Sequence, residues 1–199
     1  MKNTSFSLIV MFLFLLCSLN NAQGGFMDIF SGLTGRTSND AKVSADNYSP
    51  DVAKSLSRLK GKLIHLASFT NNAENTKQFS YPSAEGKFFY VVGHGSVESY
   101  FWYCFKKGLL SSDMKVLEES PTEPVPSLMI KLQFLTDKQF KAEVVVTRGK
   151  NFFKKKIEEN FELSKTDDRE ELAFNAYKFM DIIIVAVMTD PEVVKALGY

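Results

Sequence analysis

The sequence predicts an α+β domain: an antiparallel sheet of about four to six strands, flanked by an N-terminal helix and a buried C-terminal helix. Three observations carry that expectation. Two runs of apolar–polar alternation flank a short polar loop within residues 128–146, the mark of a hairpin with one buried face. Apolar stripes at helical spacing precede and follow the strand-rich centre instead of alternating with single strands, which argues against βαβ repetition. Cys104 is the one cysteine after residue 22, so no internal disulfide braces the domain and core packing must hold it.

The chain begins with an export signal over residues 1–22. Lys2 gives the positive start, Phe6 to Cys17 is apolar, and Ser18 to Ala22 is a polar stretch ending in a small residue before the cut. The apolar run falls short of the roughly 18–20 residues that span a bilayer core, so cleavage near Ala22 is expected and no transmembrane span remains. Lipid attachment at Cys17 would want a small residue where bulky Leu16 stands. The expected location is extracytoplasmic, periplasmic or secreted.

Residues 23–50 are rich in Gly, Ser, Asn and Asp and read as a flexible leader. Within it Phe26, Ile29, Phe30 and Leu33 keep helical spacing, so a short amphipathic helix that meets a partner is a candidate there. Asn47-Tyr48-Ser49 has the form of a glycosylation acceptor, with Pro50 against its use.

Residues 51–199 form the domain. Ser49-Pro50-Asp51 signals a helix start, and Val52, Leu56, Leu59, Leu63 and Leu66 make one apolar stripe, weakened by Gly61. Phe88 to Val92 is aromatic and β-branched, as in a buried strand. Residues 97–105 admit two readings. Aromatic density favours a strand hairpinned to the first; Ser96, Glu98 and Lys106-Lys107-Gly108 are helix start and stop signals. The strand is the expectation carried forward. Pro121, Pro124 and Pro126 then make an extended loop.

In the hairpin, Leu128, Ile130, Leu132 and Phe134 face the core, and Phe140, Ala142, Val144 and Val146 continue that face after the Thr136–Gln139 loop. Residues 151–163 fit a third strand or a helix. Asp167-Asp168 opens a helix lined by Leu172, Ala176, Phe179, Ile183 and Val187, and Thr189-Asp190-Pro191 opens a last short one.

Charge bounds the function. Without Lys2 the 24 basic residues become 23, matching the 23 acidic ones, so no general field draws nucleic acid. Two histidines far apart, His65 and His94, and no Cys/His cluster argue against a metal site. No cofactor motif is present.

Gly93-His94-Gly95-Ser96 after a strand suggests catalysis at first, with His94 as base and Cys104 or a nearby hydroxyl as nucleophile of a small hydrolase. No nucleophile elbow, oxyanion donor or orienting third group accompanies it. A glycine turn accounts for the same four residues. Asp181, inside an apolar helix, is expected at the boundary of the core.

The aromatic cluster of residues 88–90 and 100–105 exceeds what one strand pair needs. Aromatics offer apolar area with polar tips, which suits a ligand pocket or partner surface. The expected function is therefore non-catalytic binding of a protein or small apolar ligand through Phe89, Tyr100, Trp102 and Tyr103, with Phe26 and Phe30 in the leader. A small hydrolase, and a structural component of a cell-surface assembly, are the alternatives.

Overall fold

A computed structural model describes residues 40–93, 95–162 and 166–199. The export signal, the leader helix with Phe26 and Phe30, and His94 lie outside the described residues.

The long hairpin forms as its alternation demands. β7 (Ser127–Leu135) and β8 (Gln139–Arg148) pair antiparallel, with Leu128 opposite Val146, Ile130 opposite Val144 and Leu132 opposite Ala142. The register slips between Leu132 and Phe134. This bulge exchanges faces, so Leu135 is fully buried opposite Phe140 while Phe134 is only half-buried, a correction to the strict alternation. β9 (Asn151–Asn160) completes an antiparallel meander and settles residues 151–160 as strand.

On the far side of β7 the sheet becomes mixed. β2 (Leu63–Leu66) and the two-residue β3 (Thr70–Asn71) lie parallel to successive parts of β7. β6 (Lys115–Leu117) lies parallel to β2 at the edge. A second, three-stranded sheet places β5 (Phe89–Val92) between β1 (Ala41–Val43), parallel to it, and β4 (Ser80–Pro82), antiparallel. The α+β class stands, but both sheets are mixed, not purely antiparallel.

Two further expectations are corrected. The stripe at 52–66 does not form one helix. Leu56 N–H bonds the Val52 carbonyl, a 3₁₀ turn spans Ser57–Leu59, and Gly61 turns at φ 74° into β2. Val52, Leu56 and Leu59 are still buried, from a turn, while Ile64 and Leu66 are buried from a strand. Residues 97–111 are a helix, α1 (Val97–Ser111), and not a strand; the Ser96 hydroxyl caps it by accepting the Ser99 N–H at 3.4 Å. Its buried residues Val97, Tyr100, Phe101, Cys104, Phe105, Gly108 and Leu109 keep helical spacing throughout.

α2 (Arg169–Thr189) is capped by Asp168, which accepts the Glu170 and Glu171 N–H groups; α3 (Pro191–Leu197) is capped likewise by Asp190. α2 is long and apolar enough by composition to cross a membrane, yet half of that stretch is buried in the fold. It meets α1 where Gly108 faces Ile184, and a Cβ on Gly108 would lie 2.8 Å from Ile184 Cδ1. The inner face of the larger sheet and the three helices share one core, in which Phe101 stacks on Phe140 at 6.1 Å. The outer face carries charge pairs, Lys131–Glu143 at 3.1 Å and Lys141–Glu158 at 2.8 Å, as suits a solvated side.

Candidate functional site

Helix α1 divides the aromatic cluster. Tyr100, Phe101 and Phe105 point into the core. Trp102 is half-buried, its indole N–H donating to the Leu66 and Ala67 carbonyls at 3.2 and 3.0 Å, with Tyr103 edge-on to it and about half exposed. Phe89 is half-buried on the small sheet under the Lys77 ammonium. Phe89, Tyr100, Trp102 and Tyr103 therefore do not line one surface.

Cys104 is fully enclosed on the inner face of α1. Burial pushes its thiol well above the ordinary range, outweighing the Tyr100 hydroxyl and the Lys107 charge that would favour a thiolate. An attacking cysteine needs access and a low pKa, and Cys104 has neither. The Tyr100 hydroxyl beside it is equally buried, and burial raises it too. His65 is buried on β2, its Nδ1 2.9 Å from the Ser127 hydroxyl. Among the described residues no group of three or more His, Cys, Asp or Glu is placed to hold a metal ion.

Asp181 sits at the core boundary, as its place on the helix suggests. Its Oδ1 accepts the Tyr48 hydroxyl at 2.5 Å and the Asp51 N–H at 3.2 Å. Burial raises its pKa, against the lowering effect of those two bonds.

The polar groups that do converge lie elsewhere, where the tip of the β4–β5 hairpin meets the β7–β8 turn and the start of α2. Ser83 to Gly86 makes a tight turn: the Gly86 N–H bonds the Ser83 carbonyl, Gly86 takes φ 69°, and the buried Ser83 hydroxyl accepts the Lys87 N–H at 3.1 Å. On the other turn, Thr136 Oγ1 accepts the N–H groups of Lys138 and Gln139. Asp137 joins the two tips. Its Oδ1 accepts the Ala84 N–H at 2.6 Å and its Oδ2 the Tyr90 hydroxyl at 3.3 Å. Burial, with the Asp137 carboxylate beside it, pushes the Tyr90 hydroxyl up, so it stays a donor.

Between these tips and α2 lies a cleft of about 340 Å³. Phe88 and Tyr90, packed edge-to-face at 5.3 Å, form its aromatic wall, and Leu172 and the buried Asn175 close it from α2. Glu85 is paired with Lys87 at 2.8 Å and Lys138 at 3.4 Å, and these two ammonium groups hold its carboxyl below the usual range. The Asp137 and Asp167 carboxylates form no ion pair among the described residues, which leaves the lining rich in acceptors. The volume falls at the lower end of small-ligand pockets, about 300–1,000 Å³. Of the expected cluster, only Phe88 and Tyr90 belong here. Of Ser83, Asp137 and Asn175 the sequence marks only Asp137, as part of the Thr136–Gln139 loop, and nothing in their spacing unites the three.

No family model matches this chain, and no curated protein matches it. Several solved structures resemble it, two of them as follows. One, the crystal structure of an uncharacterised protein, superposes with a TM-score of 0.51 at 8% identity, covering 65% of this chain and 92% of its own. The other, a DUF330-family protein of Xanthomonas campestris, has a TM-score of 0.42 at 9% identity, covering 75% and 90%. The first likeness defines the class by fold alone: an α+β domain with mixed sheets.

Proposed function

We propose that this is an exported, non-catalytic binding protein that holds a small polar ligand in the cleft walled by Phe88 and Tyr90. The observation that carries the reading is Asp137, which joins two hairpin tips and presents a fixed acceptor beside an aromatic wall. Such a wall with a few oriented polar groups is the usual composition of a ligand site. The carboxylates of Asp137 and Asp167, which form no ion pair among the described residues, favour a ligand bearing amino or hydroxyl donors. That differs from the small apolar ligand expected from the aromatics alone. Export rests on the layout of residues 1–22, which is the layout signal peptidase recognises.

Native mass spectrometry of protein recovered from the extracytoplasmic fraction tests both parts at once. The expected mass starts at Gln23 and carries a small adduct that Phe88→Ala with Asp137→Asn abolishes. A chain that retains residues 1–22 removes the export reading. An apo mass, with no thermal shift from a panel of amines, amino acids and sugars, removes the binding reading.

A further inference from the structure

A second cleft, of about 670 Å³, lies between the turn that precedes β2 and helix α3, and its lining combines two properties. Its floor is apolar: Leu59 and Met188 are buried there, with Val194 and Tyr199 half-buried beside them. The Tyr199 ring is fixed by its hydroxyl, which donates to the Leu63 carbonyl at 2.6 Å. Its rim is cationic: Lys54, Arg58 and Lys195 line it, and no carboxylate side chain does.

The lack of acidic side chains in this lining follows from how α3 is set. The acids at its start, Asp190 and Glu192, are both drawn to Lys155 on β9, at 2.7 and 2.5 Å, and Lys195 forms no ion pair among the described residues. On the facing turn Lys60 is paired with Asp113 at 2.8 Å. Lys54 and Arg58 form no ion pair among the described residues. Two more cations flank the cleft: Lys62 lies over the Tyr199 ring at 5.5 Å, and the Arg148 guanidinium packs against Gly198. Gly198 takes φ 81° there, and a Cβ at that position would fall 2.0 Å from Arg148 Nη1. In a chain with almost equal numbers of acids and bases, this gathering of cations is a local arrangement and not a reflection of composition.

An apolar floor under a cationic rim matches one ligand chemistry. The geometry points to a single-chain amphiphile with an anionic head: its hydrocarbon tail covers Leu59, Met188 and Val194, and its carboxylate or phosphate meets Lys54, Arg58 and Lys195. Arg58 offers a two-pronged donor, and the lysines add charge without fixed direction.

Isothermal titration calorimetry of the purified protein, below the micelle threshold, tests this with four probes. Oleate and oleoyl lysophosphatidate are expected to bind at one site, more weakly as salt rises. Whichever binds tighter identifies the head group, and either supports the site. Oleyl alcohol, with the tail and no charge, and inorganic phosphate, with the charge and no tail, are each expected at least tenfold weaker. The variant Lys54→Gln/Arg58→Gln/Lys195→Gln alters three exposed residues, so its circular dichroism and melting should match the parent while oleate affinity drops tenfold or more. Val194→Trp fills the cleft and is expected to abolish binding of both lipids. Equal binding of oleate and oleyl alcohol, phosphate binding as tight as either lipid, or full oleate affinity in the triple variant would each overturn the proposal. The Phe88/Asp137 variant should leave oleate affinity unchanged, so failure here and failure of the polar-ligand cleft are separate results.

Discussion

The two sheets are built in opposite ways. The β7–β8–β9 meander pairs neighbours in sequence across short turns; its inner face is apolar along β7 and β8, while on β9 Lys155 and Glu159 share that face with Phe153 and Ile157. The three-stranded sheet gathers residues 41–43, 80–82 and 89–92, and side chains from distant parts of the chain hold it in place. Asp40 Oδ1 accepts the Phe89 N–H at 3.0 Å, the Ser44 N–H donates to the Tyr177 hydroxyl at 3.2 Å, and Asp137 takes the Ala84 N–H. The long sheet supplies most of the buried strand residues of the core. The small one brings the polar groups of the cleft together through bonds that are partly exposed, as in an element of lower local stability.

The sharpest way to break this division is to damage each sheet separately. Phe140→Ala removes a fully buried ring stacked on Phe101, and is expected to cost about 3–5 kcal/mol in urea denaturation, with one cooperative transition for the whole domain. Asp137→Ala deletes the acceptor of the Ala84 N–H and the Tyr90 hydroxyl, at an expected cost of about 1–2 kcal/mol. Its effect should be local. In native-state hydrogen exchange the amides of 83–91 lose protection while those of β7 and β8 keep theirs. Equal loss in both sheets would mean that they do not differ in the way described.

The same contrast decides what could be read from the sequence. The β7–β8 hairpin was legible because pairing and burial both follow from a period of two within twenty residues. Its one surprise, the exchange of Phe134 for Leu135, comes from a bulge that alternation alone does not mark. Helix α1 resembles a strand in sequence because Tyr100 to Phe105 has the density of aromatics usual in one. The spacing of Val97, Tyr100, Phe101, Cys104, Phe105 and Leu109 was the better guide. That resemblance has a second consequence. Parallel strands need a long crossover, commonly helical, and α1 lies in the connection from β2 to β6; without it the sheet reads as antiparallel. At 52–66 a turn and a strand share one apolar stripe, so period could not separate them, and Gly61 was the only sign of the change. The cleft was illegible for a different reason: Ser83, Tyr90, Asp137 and Asn175 share no spacing and meet only through non-local packing.

Asp181 offers the smallest and most selective test, because it ties α2 to the chain just after the small sheet's first strand through Tyr48 and Asp51. Burial raises its pKa above the unfolded value, so the folded state holds this proton more tightly than the unfolded chain does. Its contribution is therefore fully present below the unfolded pKa, about 3.9, and is lost as pH rises through the higher native value. Asp181→Asn keeps an acceptor for the Tyr48 hydroxyl and the Asp51 N–H while removing the ionisation. The variant is expected to melt slightly above the parent at pH 7 and level with it near pH 3. The gap should be small, since Asp181 is only half-buried and solvent screens its charge. Paired melting curves across that range cancel the other carboxylates, which titrate alike in both proteins. A variant less stable than the parent at pH 7 would mean that the charged carboxylate strengthens the Tyr48 bond by more than its burial costs.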